Sequence, residues 1–347
     1  MFTSRLVLLA LTLILAGNTV RAESLLEKIN AEVTGLFETN KDAVVKVYSE
    51  RKPVAAGFPL RTVQRAGSGF FIDAEGRILT TATIIEEGAT CWVNFRGQRM
   101  PATILGRDAA TNLALLKIST NTPTPFVKLG NSDTLRAGSL VVAVGFPFEL
   151  PIAPVVGFVS GFDIQHGFHQ FVTTHVRTDC RLSPGQAGGP FFDAQGSVVG
   201  IAVAARMDNQ CYALPINAAR QVVDDILQHG RTQLGWVGLA VADRPSDGRT
   251  NTTVVVQQIY SNSPAASIGF RDSDVVVRIG TNQVRRSCDV IDAMFHSRPG
   301  DRLTIVVLRE SMEQQFTLVV GERPVTPATT AARLSQLPTL TPASDSR

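Results

Sequence analysis

Charge is scarce in this chain and nearly balanced. Asp, Glu, Lys and Arg make up 18% of the 347 residues, with a formal net charge of +3. Two of the 33 basic residues, Arg5 and Arg21, fall in an N-terminal leader, leaving 31 against 30 acidic ones. With no basic stripe and almost no net charge, there is no electrostatic case for a nucleic-acid partner. Histidine is rare as well, with five scattered residues (His166, His169, His175, His229, His296). The four cysteines, Cys91, Cys180, Cys211 and Cys288, form no CxxC pair and no Cys/His group with metal-site spacing. No metal and no cofactor is therefore expected. Long apolar runs are also missing. The one near the N-terminus, Leu6 to Ala16, is too short to span a bilayer comfortably. With Arg5 before it and Val20-Arg21-Ala22 after it, the run reads as a secretory signal cut after Ala22. An uncleaved membrane anchor is the alternative.

What remains is ordinary material for folded domains. Hydrophobic residues make up 44%, enough in a chain of this length for two sizeable cores. Residues 23–40 read as a polar, partly helical lead-in. From Val44 onward, short β-type runs alternate with Gly, Asn, Asp and Pro: Val44 to Tyr48, Gly69 to Ile72, Leu113 to Ile118, Leu140 to Val144, Phe171 to Thr174, Val198 to Val203. Such spacing predicts an all-β barrel or sandwich over residues 41–230. A helix closes this region, with Asn217 as N-cap, an apolar face of Val222, Val223, Ile226 and Leu227, and Gly230 as C-cap. A second β-rich unit occupies residues 231–321, with one clear helix from Asp289 to His296. Residues 322–347, rich in Pro, Thr, Ser and Ala, read as a disordered tail.

The most informative stretch is Ser183 to Pro190, SPGQAGGP. Its glycines allow a tight turn that aims backbone N–H groups into a shared pocket, as a serine-protease nucleophile loop does. Where such a loop carries its serine, this one has Ala187, and a methyl group cannot attack a carbonyl.

Three further segments accompany this loop: GSGFFIDAEGRILTTATII (67–85), GRDAATNLALLKI (106–118) and VAVGFPFELPIAPVVGFVSGF (142–162). In this order and spacing, over roughly residues 40–320, the chain resembles the HtrA/DegP family of trypsin-like periplasmic serine proteases. The resemblance implies a mainly β fold: a trypsin-like double β-barrel followed by a single PDZ domain. In that family a histidine serves as general base at the position of Thr83, an aspartate orients it at the position of Asn112, and the serine nucleophile stands at the position of Ala187. All three are replaced, so the residue-level expectation is a pseudoprotease, not an enzyme. Gly185, Gln186 and Ala187 would keep a remnant oxyanion loop, or the glycines would serve the turn alone. Ser183 and Thr178, with His175 or His169, are the nearest substitutes for the missing chemistry. The family's strand order places Cys180 and Cys211 on neighbouring strands, either as a disulfide or as two buried thiols.

GWVGLAV (235–241), SPAASIGFRDSDVVVRIGTNQV (263–284) and Arg298-Pro299-Gly300-Asp301 resemble a PDZ domain, with Ser263-Pro264-Ala265 opening a short helix. The resemblance assigns a carboxylate-binding loop to Trp236, Val237, Gly238 and Leu239. Ile291 and Met294 would line the side-chain pocket or serve as core. The expected partners are peptide or protein C-termini and misfolded envelope proteins, in a periplasmic holdase, adaptor or regulatory subunit. It would act as a homotrimer or in mixed trimers with an active relative. A periplasmic endopeptidase with a displaced triad, and a scaffold docking one partner, are the alternatives.

Overall fold

The computed structural model describes residues 24–51, 62–166, 169–205, 210–246 and 251–322. The leader (1–22), its cleavage site and the tail beyond Glu322 lie outside the described residues. In the lead-in, helix α1 (Leu25–Asn40) starts with a reciprocal cap. Glu27 N–H donates to Ser24 Oγ (3.1 Å), and Ser24 N–H donates to Glu27 Oε2 (2.7 Å).

The first barrel closes from β1 (Val44–Arg51), β2 (Val63–Phe71), β3 (Arg77–Thr81), β4 (Thr90–Phe95), β5 (Gln98–Asp108) and β6 (Leu113–Ile118), in the order β1-β2-β3-β6-β5-β4. Val45, Val47, Ile78, Val93 and Leu116 alternate inward to fill it, each contributing about 1.5–3 kcal/mol of burial. A turn at Glu75-Gly76 joins β2 to β3. The Asp73 carboxylate accepts the N–H groups of Glu75 and Arg77 and sets the turn.

The second barrel closes from β7 (Leu140–Gly145), β8 (Ala153–His166), β9 (His169–Thr178), β10 (Pro190–Phe192), β11 (Val198–Ala205) and β12 (Cys211–Pro215), in the order β10-β11-β12-β9-β8-β7. Helix α2 (Ile216–His229) packs on strands of both barrels, β5 and β6 on one side and β11 and β12 on the other. Its close approach needs Gly106, where a Cβ would sit 2.3 Å from Ile226 Cγ2. Gly230 caps it at φ +73, as expected, but the N-cap is Pro215 rather than Asn217. Asn217 instead lies in the first turn and bonds to Asn131.

The C-terminal unit adds β13 (Gly235–Trp236), β14 (Leu239–Ser246), β15 (Asn251–Ile259), β16 (Val275–Ile279), β17 (Asn282–Gln283), helix α3 (Ser287–His296), β18 (Arg302–Arg309), β19 (Met312–Val319) and β20 (Gly321–Glu322). Its main sheet runs β14-β15-β16-β18-β19, so β14 is an edge strand. Buried Asp274 and half-buried Arg309 form a bidentate pair (2.7 Å on both arms) that ties the start of β16 to the end of β18. Residues 261–268 are turns rather than the expected short helix. Ser263 Oγ accepts Ala266 N–H, and Ser267 Oγ donates back to the Pro264 carbonyl, so local bonds replace a helix too short to sustain itself. Among the described residues no helix is long and apolar enough to cross a membrane.

Candidate functional site

Thr83 and Asn112 are in direct contact, and the loop that carries Ala187 is bonded to β2. Asn112, buried in a left-handed conformation (φ +58), is held by the turn before it, where Asp108 Oδ2 accepts Thr111 N–H (2.9 Å) and its hydroxyl (2.5 Å). The Asn112 Oδ1 accepts Thr83 N–H at 2.8 Å, and its Nδ2 donates to the Val203 carbonyl at 3.0 Å. Its amide thus uses both ends and links the two barrels. The Thr83 hydroxyl lies 3.3 Å from that of Thr81.

The glycine loop is fixed from several sides. Ser68 N–H donates to the Ala187 carbonyl (2.8 Å), and Gly188 N–H to the Ala202 carbonyl (2.8 Å). Gly185 and Gly188 have φ of +93 and +84, and a Cβ on either would lie 2.4 Å from the Phe146 carbonyl or 2.2 Å from that of Ser68. Only glycine fits these two places. Ser68 is a functional residue that the sequence reading missed. Its buried hydroxyl donates to the Gly185 carbonyl (2.8 Å) and accepts Phe146 N–H (3.0 Å), pinning the loop to β2 and to the exit of β7. The N–H groups of Gly185 and Ala187 have no acceptor among the described residues. Gln186 turns inward, its Oε1 accepting Ser183 N–H (2.8 Å) and its Nε2 unpartnered.

Of the substitutes for a triad, His175 is engaged elsewhere. His175 is buried, its Nδ1 2.9 Å from the Thr173 carbonyl and its ring stacked on Phe171 at 3.8 Å. The His169 side chain lies outside the described residues. Cys180 and Cys211 share the second barrel's core as free thiols, so the disulfide considered for them is not formed. Cys211 pairs with Thr178 across β12 and β9, which leaves Cys180 two residues past its cross-strand position. Burial pushes the Cys180 thiol up to about 11, and burial with the Cys180 charge raises Cys211 well above the ordinary range. Neither is a thiolate near neutral pH.

A second site lies in the C-terminal unit. Gly238 turns at φ +80 against Ser263, where a Cβ would come within 2.0 Å of the Ser263 Cβ. The Gly238 carbonyl accepts Tyr260 N–H (2.9 Å) and the Val237 carbonyl accepts Ala265 N–H (2.9 Å). That first rung to β15 sends the Leu239 N–H outward, off the sheet edge. Trp236 lies with its ring 6.1 Å from that of Tyr260. On α3, Val290, Ala293 and Met294 pack into the unit's core, while Ile291 is half-buried outside that cluster. The neighbouring strip meets the second barrel. Asp292 accepts Thr173 Oγ1 (2.8 Å), Thr174 N–H (2.6 Å) and the Thr174 hydroxyl, and Gln221 Nε2 donates to the Phe295 carbonyl (2.5 Å). No group of acidic, His and Cys side chains suited to a metal occurs among the described residues.

Two closed barrels with a glycine loop, followed by a sheet and helix with an open strand edge, define a trypsin-like double barrel joined to a PDZ domain. Residues 67–201 match the trypsin-like peptidase domain family and residues 235–320 the PDZ domain family. The chain is 27% identical over 321 residues to a Synechocystis protein assigned the name serine protease HhoB, covering 81% of this chain and 77% of that one. It is 29% identical over 276 residues to a Pseudomonas fulva protein named as a DegP-like periplasmic serine endoprotease, covering 76% of this chain and 57% of the relative. It thus spans little more than half of that relative. Among solved structures, the HtrA-type protease AlgW with a decapeptide superposes with a TM-score of 0.69 at 27% identity, covering 85% of this chain and 99% of that one. AlgW with a tripeptide gives 0.71 at 28%. The chain thus pairs a trypsin-like peptidase domain with a PDZ domain in the manner of HtrA/DegP-type proteases. These names overturn the expectation that the chain is not an enzyme: the relatives are serine proteases and endoproteases.

Proposed function

We propose that this chain is an HtrA-type envelope protein that captures exposed polypeptide C-termini in its PDZ domain. Held there, misfolded envelope proteins are kept from aggregating or are passed to the barrel cleft, in trimers of this chain or in trimers shared with a relative. The observation that carries this reading is the open edge of β14 beside the Gly238 turn. There the outward Leu239 N–H and the Trp236–Leu239 loop offer donors to a terminal carboxylate, and a ligand can add as a strand. Ile291 and Met294 on α3 would bound the pocket for the last side chain. The periplasmic names of relatives and the sequence reading of residues 1–22 support export.

Isothermal titration of the full chain with a hexapeptide ending in valine tests this. Binding is expected with a free carboxylate and a loss of at least tenfold on amidation, since hydrogen bonds to a charged group contribute about 1.5–3 kcal/mol. The Gly238→Ala variant should lose binding of the free acid. Equal affinity for acid and amide would sink the reading.

Endopeptidase activity is a second reading, favoured by the names of the relatives. Thr83, Asn112 and Ala187 offer neither nucleophile nor base, so hydrolysis in this chain has to run on other groups, with Gly185 and Ala187 N–H as its oxyanion donors.

A further inference from the structure

We propose that the pocket between the start of β1 and the β4–β5 hairpin binds a small organic dianion of the phosphate-monoester type. The pocket has a volume of about 390 Å³, within the range of small-molecule sites, and Pro125 and Phe146 contribute to its wall. Three of its lining residues are basic (Lys41, Lys46, Arg96) and one is acidic (Asp42). The lining thus carries +2 in a chain whose formal net charge is only +3. A phosphate monoester, with about −1.5 to −2 at pH 7 and three acceptor oxygens, matches that charge.

The cations here are oriented without being neutralised. On the same barrel, carboxylates hold Arg65 (2.6 Å from Glu86) and Arg77 (2.8 Å from Asp73). Lys46, Arg96 and Arg99 have no carboxylate partner among the described residues, and each lies over a ring instead. Arg96 Cζ is 4.8 Å from the centre of the Phe95 ring, Arg99 Cζ 3.7 Å from that of Trp92, and Lys46 Nζ 5.2 Å from that of Phe146. Lys46 Nζ also donates to the Glu149 carbonyl. A ring face orients a cation while leaving N–H groups available to oxygen acceptors. Register brings Arg99 to the same place. Lys46 stands opposite Asn94, a lining residue on β4, and Asn94 stands opposite Arg99 on β5. The three share the outer face of the barrel in a row about 10 Å long.

Arg96 also sits where its own backbone resists it. Phe95 pairs with Gln98, so Arg96 and Gly97 alone make the hairpin turn, with φ of +51 and +77. Glycine or asparagine suits the first of these positions. A long side chain there costs on the order of 1 kcal/mol. The Arg96 guanidinium makes no hydrogen bond among the described residues, so the turn itself has no use for it.

The test is calorimetric titration of the full chain at low salt with glycerol 3-phosphate, with its dihexanoyl ester (a short-chain phosphatidate) and with glycerol. Both phosphates should bind and glycerol should not. The tighter of the two tells whether the occupant is a free phosphate ester or a lipid headgroup. Glycine takes φ +51 without steric cost, so Arg96→Gly removes the guanidinium and leaves the hairpin intact. It should weaken both phosphates at least about tenfold, the loss of a charge-assisted hydrogen bond, with an unfolding midpoint no lower than its parent's. Lys46→Met should weaken them as well. No saturable binding of either phosphate, equal binding of glycerol, or an Arg96→Gly variant that binds like its parent overturns the proposal.

Discussion

The Thr83→His/Asn112→Asp/Ala187→Ser variant is expected to cleave unfolded casein on the order of 10²-fold faster than the unsubstituted chain, or more. A positioned acid–base pair contributes about 10²–10⁴-fold, and a complete triad considerably more. Asn112 Oδ1 lies 2.8 Å from the Thr83 backbone N–H, so a carboxylate at 112 stands beside the base of a histidine at 83. The loop at 187 is fixed by Ser68, and the Gly185 and Ala187 N–H groups have no acceptor among the described residues. The substitution at 112 has a cost. An aspartate cannot donate to the Val203 carbonyl, and its charge would face that oxygen in a buried site, about 1–3 kcal/mol of stability. The triple variant should therefore unfold earlier in urea while it gains activity. Ala187→Ser alone should gain little, since no base stands at 83. Equal rates for variant and unsubstituted chain would show that the cleft no longer seats a substrate. Hydrolysis by the unsubstituted chain that survives repurification, with fluorophosphonate label away from position 187, would establish the second reading and locate its nucleophile.

Asp274→Ala is expected to lower stability, because it leaves the Arg309 guanidinium without its carboxylate partner. The PDZ unfolding midpoint should fall by at least about 4 °C in calorimetry. An Asp274→Leu/Arg309→Leu pair should recover part of the loss, since it leaves no charge unpaired. The same pair predicts acid sensitivity. Burial works against the Asp274 charge, yet the Arg309 hydrogen bonds, the Arg271 N–H and the nearby guanidinium charges hold its carboxyl below the ordinary value of 3.8. A carboxyl depressed by folding stabilises the native state above the unfolded-state pKa. That contribution is lost as pH falls below 3.8 and through the lower folded-state value. A midpoint that does not change between pH 5 and pH 2, or an Asp274→Ala variant as stable as its parent, would exclude this role.

Much of the double barrel was legible because its information is local. The glycines at 185 and 188 each satisfy a backbone demand that a side chain cannot meet. Gly230, likewise, could be read as a cap from composition and position. What depended on distant partners was not legible. Nothing next to Ser68 announces that its hydroxyl will meet a carbonyl 117 residues away. Asp292 reads as one more polar position on a short helix, yet it accepts three bonds from β9. The same distinction explains the cysteines. Strand order brought Cys180 and Cys211 near each other, but the two-residue offset past Thr178 left them as thiols. Asn112 was read from the sequence by its resemblance alone. Its use of both amide ends needed Val203, 91 residues on.

Barrel closure also bears on aggregation. Strands β1 to β12 are each paired on both sides, so neither barrel offers a ladder on which a stray segment can grow. The main sheet of the C-terminal unit differs, since β14 and β19 are its two edges. Any strand that adds to this protein therefore has to add to its C-terminal unit, and the barrels, however rich in β-structure, stay out of it.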